Sequence, residues 1–266
     1  MKRFWFTTIA ALPVYFFLAL TTALNAGGDK ASPWKPFLSD ETYKELTDRS
    51  IKAIEATAKA ADKDALAKIE FEAALLAGFT LSVKNANDDD VAKLRGLALA
   101  ARKQDLKKLA EFRQSIKTAP KAPVDVKDWK SRLPEMEEFM VFFRNKSKGG
   151  EGLHPDLQYQ AKLQNLNGIE AFISALSKKK LNDANMDKVA KELPILAYRV
   201  AVFSAITYEL APAKGAGQWR DFSNKMRDAS IALAESAQNK NAAAVQKSAE
   251  SLETTCTQCH SAFKNK

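Results

Sequence analysis

Five residues near the end of the chain carry the types and the spacing that support chemistry: Cys256-Thr257-Gln258-Cys259-His260. Residues at i, i+3 and i+4 share one face of a helix. Two thiols and an imidazole at that spacing can all meet one planar ligand. Cys-x-x-Cys-His is the attachment pattern of a c-type haem. Each thiol adds across one vinyl group of the porphyrin, and the imidazole binds the iron. Thr257 and Gln258 turn elsewhere. The chain has 2 Cys and 2 His in all, so no other cysteine competes for this work. Cys-x-x-Cys alone also serves zinc sites and thioredoxin-like redox sites. A zinc set of four would need Cys256, Cys259, His260 and the distant His154 together. A thioredoxin-like motif sits at a strand–helix junction, whereas this one lies in a Lys/Ala-rich helical tail. The expectation is one covalent haem c, with Cys256 and Cys259 as thioethers and His260 as proximal iron ligand.

The element that must present this motif is a helix. Val245, Ala249, Leu252, Cys256, Cys259 and Phe263 recur at gaps of 4, 3, 4, 3 and 4, one apolar seam. The haem cysteines share the stripe of the core residues, so the porphyrin edge must enter a helical interior. Phe263, one turn on, packs against the porphyrin or serves as plain core. Lys264 is placed to pair with a propionate, although a lysine at a chain end is usually just solvated. Three helices precede this one. Leu166, Ile169, Ile173 and Leu176 mark the first, which Lys178-Lys179-Lys180 closes. Val189, Leu193, Leu196, Val200 and Phe203 mark the second, with Pro194 predicting a kink or a late start. Trp219, Phe222, Met226, Ala229 and Leu233 mark the third, after Pro212 and a Gly215–Gly217 turn.

A haem motif on the last helix of a four-helix bundle resembles the cytochrome c prime family, the class II c-type cytochromes. The resemblance rests on Cys256, Cys259 and His260, the Phe263-Lys264 pair and the helical pattern before them, and covers the C-terminal half. It implies an antiparallel haem bundle over residues 153–266. It also implies either electron transfer or a five-coordinate iron that binds nitric oxide or carbon monoxide. Six-coordinate relatives take a Met from the first helix of the bundle, but residues 157–180 hold no Met and no His. The expectation is therefore a five-coordinate iron facing Leu166, Ile169, Phe172 and Ile173. His154, in the loop before the bundle, is the alternative distal ligand, and Met186, Met226 and Met140 follow it.

Upstream, residues 39–118 read as four helices with short links, a haem-free bundle. Apolar stripes run through Tyr43, Leu46 and Ile54, through Ile69, Leu76 and Leu81, and through two later segments up to Ile116. Leu97-Ala98-Leu99-Ala100 and Ile231-Ala232-Leu233-Ala234 occupy similar places in the two halves, which suggests duplication or shared composition. Residues 119–152 connect the halves. They offer a docking helix with Trp129, Leu133, Met136, Phe139, Met140 and Phe143, and then a basic, glycine-rich loop, Arg144 to Gly152, read as a hinge. The fold class expected is all-α, two antiparallel four-helix bundles.

Residues 1–26 read as a signal peptide, with Lys2 and Arg3 before an apolar run from Phe4 to Leu24; an uncleaved membrane anchor is the alternative. Residues 27–38 read as a flexible lead-in. Either reading puts the body outside the cytoplasm, in a periplasm or its equivalent, where covalent haem attachment is completed. Forty-one Lys and Arg against 32 Asp and Glu give a formal charge of +9, or +7 once Lys2 and Arg3 are removed. The charges are interspersed along helices, a solvated surface rather than a nucleic-acid site. The partners expected are a redox protein or a small gas, with a homodimer left open. No catalytic motif points to an enzyme.

Overall fold

The computed structural model describes residues 36–60, 65–83, 136–145, 148, 150–158 and 168–263. These are mostly helical, and among them the one β contact is an isolated bridge between Leu38 and Val83. No helix among the described residues is long and apolar enough to cross a membrane. Residues 1–26, Leu166, Lys264 and the third and fourth helices expected before residue 118 lie outside the described residues.

Helix α1 runs Asp40–Ala60 and α2 Ala65–Leu81. Ser39 caps α1 by accepting from the Thr42 amide at 3.2 Å, and Asp40 and Glu41 complement the helix dipole in the first turn. A short helix, α3 (Met136–Met140), continues as a 3-10 turn over Val141–Phe143. Then follow α4 (Ile169–Lys178), α5 (Asp183–Val189), α6 (Glu192–Glu209), α7 (Ala216–Gln238) and α8 (Ala242–Phe263).

The fold is organised around α6. Every residue from Glu192 to Tyr208 is buried, because Ile195, Leu196, Val200, Val202, Phe203 and Ile206 leave no polar face. A helix that is apolar all round must be covered on all sides. Helix α7 covers one side of it, while α1 and α2 cover another. Helix α8 packs against both α7 and α4. Pro194 sits in the first turn of α6, where its missing N–H removes no intrahelical bond. It thus accounts for the late start and the separate α5.

Short links make α6, α7 and α8 alternate in direction. Residues 239–241 join α7 to α8: Lys240 takes φ 50° and Asn241 caps α8 by accepting from the Ala244 amide at 3.1 Å. At the other end of α7, Gly215 adopts φ 81°, and a Cβ there would lie 3.0 Å from the Phe263 ring. Glycine is required on both counts.

One continuous apolar core runs from Leu38 to Leu252 and includes residues of α1 and α2 as well as α6, α7 and α8. The described helices from before residue 118 therefore share a core with those after residue 153. Five phenylalanines occupy its centre. Phe71 of α2 stacks on Phe142 at 4.5 Å, Phe139 on Phe203 at 5.1 Å, and Phe143 meets Phe203 edge-on at 4.7 Å. The apolar side of residues 136–143 docks as its pattern requires. The loop after it differs from a hinge at its described residues. Gly150 and Lys148 donate to the Asn145 carbonyl, Glu151 to that of Phe142. A Cβ on Gly150 would lie 2.0 Å from the Arg144 carbonyl oxygen, so the backbone is packed against itself.

Candidate functional site

Helix α8 carries Cys256, Cys259 and His260 in unbroken helical conformation. All three side chains are half-buried, while Thr257 and Gln258 between them are exposed. The helix turns the three chemical groups inward together and the two spacers outward, as the 3.6-residue period dictates. Val245, Ala249 and Leu252 below them are buried and anchor that face. Both thiols are free. Burial pushes the Cys256 thiol up to about 12, with the Glu170 carboxylate adding to the effect, and burial pushes Cys259 up as well. A redox dithiol needs the opposite shift.

The motif is bounded by α4 and α7. Helix α4 runs antiparallel to α8: Ser177 donates its hydroxyl to Glu253, and at the other end Glu170 faces His260. The distance from His260 Nδ1 to Glu170 Oε1 is 3.9 Å. Ile169, Phe172 and Ile173 of α4 are buried. Phe263 stands edge-on to Trp219 of α7 at 5.0 Å and to Phe222 at 6.4 Å. Trp219 is itself fixed by donating to the Thr207 carbonyl at 2.6 Å. In this structure Phe263 packs on aromatic side chains of α7, an aromatic floor at the end of the motif.

The expected alternative ligand His154 is not brought to this site. It caps a 3-10 turn (Pro155–Leu157) beside the N-terminus of α6, with Nδ1 3.8 Å from Glu192. The motif lies beside the opposite end of α6, because Phe263 meets Trp219 and Trp219 meets Thr207. Fifteen residues of helix separate Glu192 from Thr207, roughly 20 Å at 1.5 Å per residue. The loop cannot fold over the motif either, since Leu153 and Leu157 on both sides of His154 are buried. Met186 is buried in α5 at that same far end, one residue from Asp187, which pairs with Lys240 at 2.7 Å. Met226 differs. Seven residues on from Trp219 in α7, it lies level with Cys256, seven back from Phe263 in α8, to within a turn. Met226 and Met140 are partly buried against the core.

His154, Asp156 and Glu192 bring one ligand atom each within 4.8 Å, a grouping that could hold a cation. Arg49 already occupies it: its guanidinium donates to both Glu192 oxygens, at 2.5 and 3.0 Å, and to Glu45 at 2.6 Å. A metal would have to displace a bidentate arginine, which the geometry opposes. An open depression of about 260 Å³ lined by Glu41, Glu45, Lys191, Tyr198 and Gln238 lies at this end too, remote from the cysteines.

Sequence reasoning missed a second charged cluster. Arg199, buried within α6, donates to Glu72 of α2 through both terminal nitrogens, at 2.5 and 3.2 Å, to Ser50 of α1 at 3.2 Å and to Glu151 at 3.2 Å. Its guanidinium lies 5.7 Å over the Phe142 ring. Burial alone would lower the Arg199 pKa, but the Glu72 and Glu151 carboxylates outweigh it and hold the cation. The signal was present in the sequence as one arginine in the middle of a largely apolar helix.

No family model, no curated protein and no solved structure matches the chain.

Proposed function

We propose that the protein is an exported, non-enzymatic, mono-haem c-type cytochrome that transfers electrons. Cys256 and Cys259 hold the haem covalently, and His260 binds its iron. The observation that carries this reading is the arrangement on α8: two free thiols and an imidazole half-buried on one helical face, with the spacers Thr257 and Gln258 in solvent. The residues fit the group. The thiols are unpaired, the side-chain types match the attachment chemistry, and apolar side chains flank the motif on α4. Bound there, a haem supplies one-electron iron exchange. The chain's own contribution is to tether the macrocycle twice and to orient His260. Ile169, Phe172 and Ile173 then keep water from the neighbouring interior. The half-buried position leaves an edge within reach of a redox partner.

A second reading has its own support. His154 and Met186 lie far from the motif, and the buried α4 residues beside it are Ile169, Phe172 and Ile173, which cannot bind iron. That favours an open sixth position able to take nitric oxide or carbon monoxide. A four-helix haem bundle over residues 153–266, with α1 and α2 sharing its core, and the resemblance to the cytochrome c prime family belong to this proposal as well.

Acid-acetone extraction of the purified, exported protein tests the core of it. The Soret colour should stay with the chain, and the mass should exceed that of the polypeptide by one haem. Colour that leaves with the solvent, or a Cys256→Ala/Cys259→Ala chain that stays coloured, defeats the assignment.

A further inference from the structure

We propose that Glu170 is the positioning residue of the iron ligand, a carboxylate that holds His260 through Nδ1 and lowers the reduction potential. The inference rests on the haem reading above and deepens it. Glu170 sits in the first turn of α4 and His260 in the last turn of α8. The antiparallel packing of α4 on α8 brings them together across 90 positions of sequence. Nδ1 faces Glu170 Oε1 at 3.9 Å, which leaves Nε2 as the nitrogen for the iron. The Glu170 side chain is 63% exposed and that of His260 30%.

A metal-binding histidine commonly donates its second ring N–H to a carboxylate, which fixes the tautomer and raises the basicity of the imidazole. A more basic axial ligand favours the ferric state. The other acidic group on this face is already engaged. Glu253 accepts from Ser177 and lies 3.9 Å from Lys178. The helix dipole gives a second reason for a carboxylate in this first turn, but it does not require one aimed at His260.

Redox titration of the full-length holoprotein decides the matter, with Glu170→Gln, Glu170→Asp and Glu253→Gln compared against the parent. Glu170→Gln should favour the reduced state about tenfold, an upward shift of 59 mV for a one-electron couple. Glu170→Asp should retain most of the parent value, because the carboxylate survives. Glu253→Gln should move the potential much less. An unchanged potential in Glu170→Gln, or an equal shift in Glu253→Gln, overturns the role of Glu170 while leaving the haem reading intact. A parent protein with no covalent haem sinks both.

Discussion

Replacing Arg199 by Met should be among the most damaging single changes in the described core. The arginine and Glu72 are both nearly inaccessible, with side chains 7% and 5% exposed. Their pairing is bidentate, and Ser50 and Glu151 complete it. Desolvating two charges costs about as much as their attraction returns, so the intact pair adds little net stability. Breaking it is a different matter. Arg199→Met leaves the Glu72 carboxylate buried, next to a second carboxylate, with only the Ser50 hydroxyl nearby. Removal of one partner of a buried pair costs about 3–5 kcal/mol. Each kcal/mol lowers the Tm of a domain of this size by about 2–4 °C, so the expected fall is roughly 6–20 °C.

Glu72→Leu should cost a similar amount, because the partly exposed Glu151 cannot neutralise the arginine alone. The double variant Arg199→Met/Glu72→Leu removes both charges and fills the space with apolar atoms. It should lie within about 1 kcal/mol of the parent, since hydrophobic replacement of a whole buried pair is often neutral or better. Urea unfolding of the four proteins gives the coupling energy directly. A loss below about 1 kcal/mol in either single variant would mean that the guanidinium reaches water. A double variant as unstable as the sum of the singles would show that the charges were not compensating each other.

Acid should weaken the other arginine pair. Hydrogen bonds from Arg49 hold the Glu192 carboxyl below the ordinary carboxylate range, against the opposite pull of burial. The unfolded chain then binds the proton first. The contribution is present above the ordinary carboxylate range and is lost as pH falls through the depressed value; urea midpoints from pH 7 to pH 3 should fall less steeply in Glu192→Gln. The axial position gives a further test: His154→Ala should leave the optical spectrum of the holoprotein unchanged, and a high-spin parent should bind carbon monoxide when reduced. A low-spin parent that turns high-spin in Met226→Leu would instead make Met226 the sixth ligand and refute the open position.

The parts of the chain legible from sequence were those in which pattern and partner lie close together. Helix α8 has one buried stripe and one solvated side, and its Val245-to-Phe263 seam could be read directly from the spacing. Pro194 marked the late start of α6 because a proline's effect is local. The failures were of two kinds. The spacing of Leu193, Leu196, Val200 and Phe203 in α6 predicts a single stripe, yet Ile195, Val202 and Ile206 on its other sides are buried too. Periodicity has nothing to detect when every face is apolar. The second kind concerns partners remote in sequence. Arg199 and Glu72 are 127 positions apart, and nothing local in either segment selects the other. The place of His154 is hidden from the sequence for the same reason. As a loop residue beside a glycine and a proline it was free to lie anywhere, and the buried Leu153 and Leu157 fix it beside Glu192.

The covering of α6 also bears on what the N-terminal helices do. A helix that presents functional side chains needs a rigid neighbour if they are to stay in one orientation. Helix α8 rests on α7, and α7 rests on α6, whose remaining sides would be apolar and wet without α1 and α2. Phe71 of α2 stacks directly on Phe142, and Glu72 beside it holds Arg199. Contacts of α2 therefore reach the central helix through both apolar and charged groups, about one turn from the level of Cys256 by the helix register. Destabilising that contact should loosen the support behind the cysteine-bearing helix before it touches the motif itself. In physical terms α1 and α2 supply the side of that core which α7 and α8 leave open.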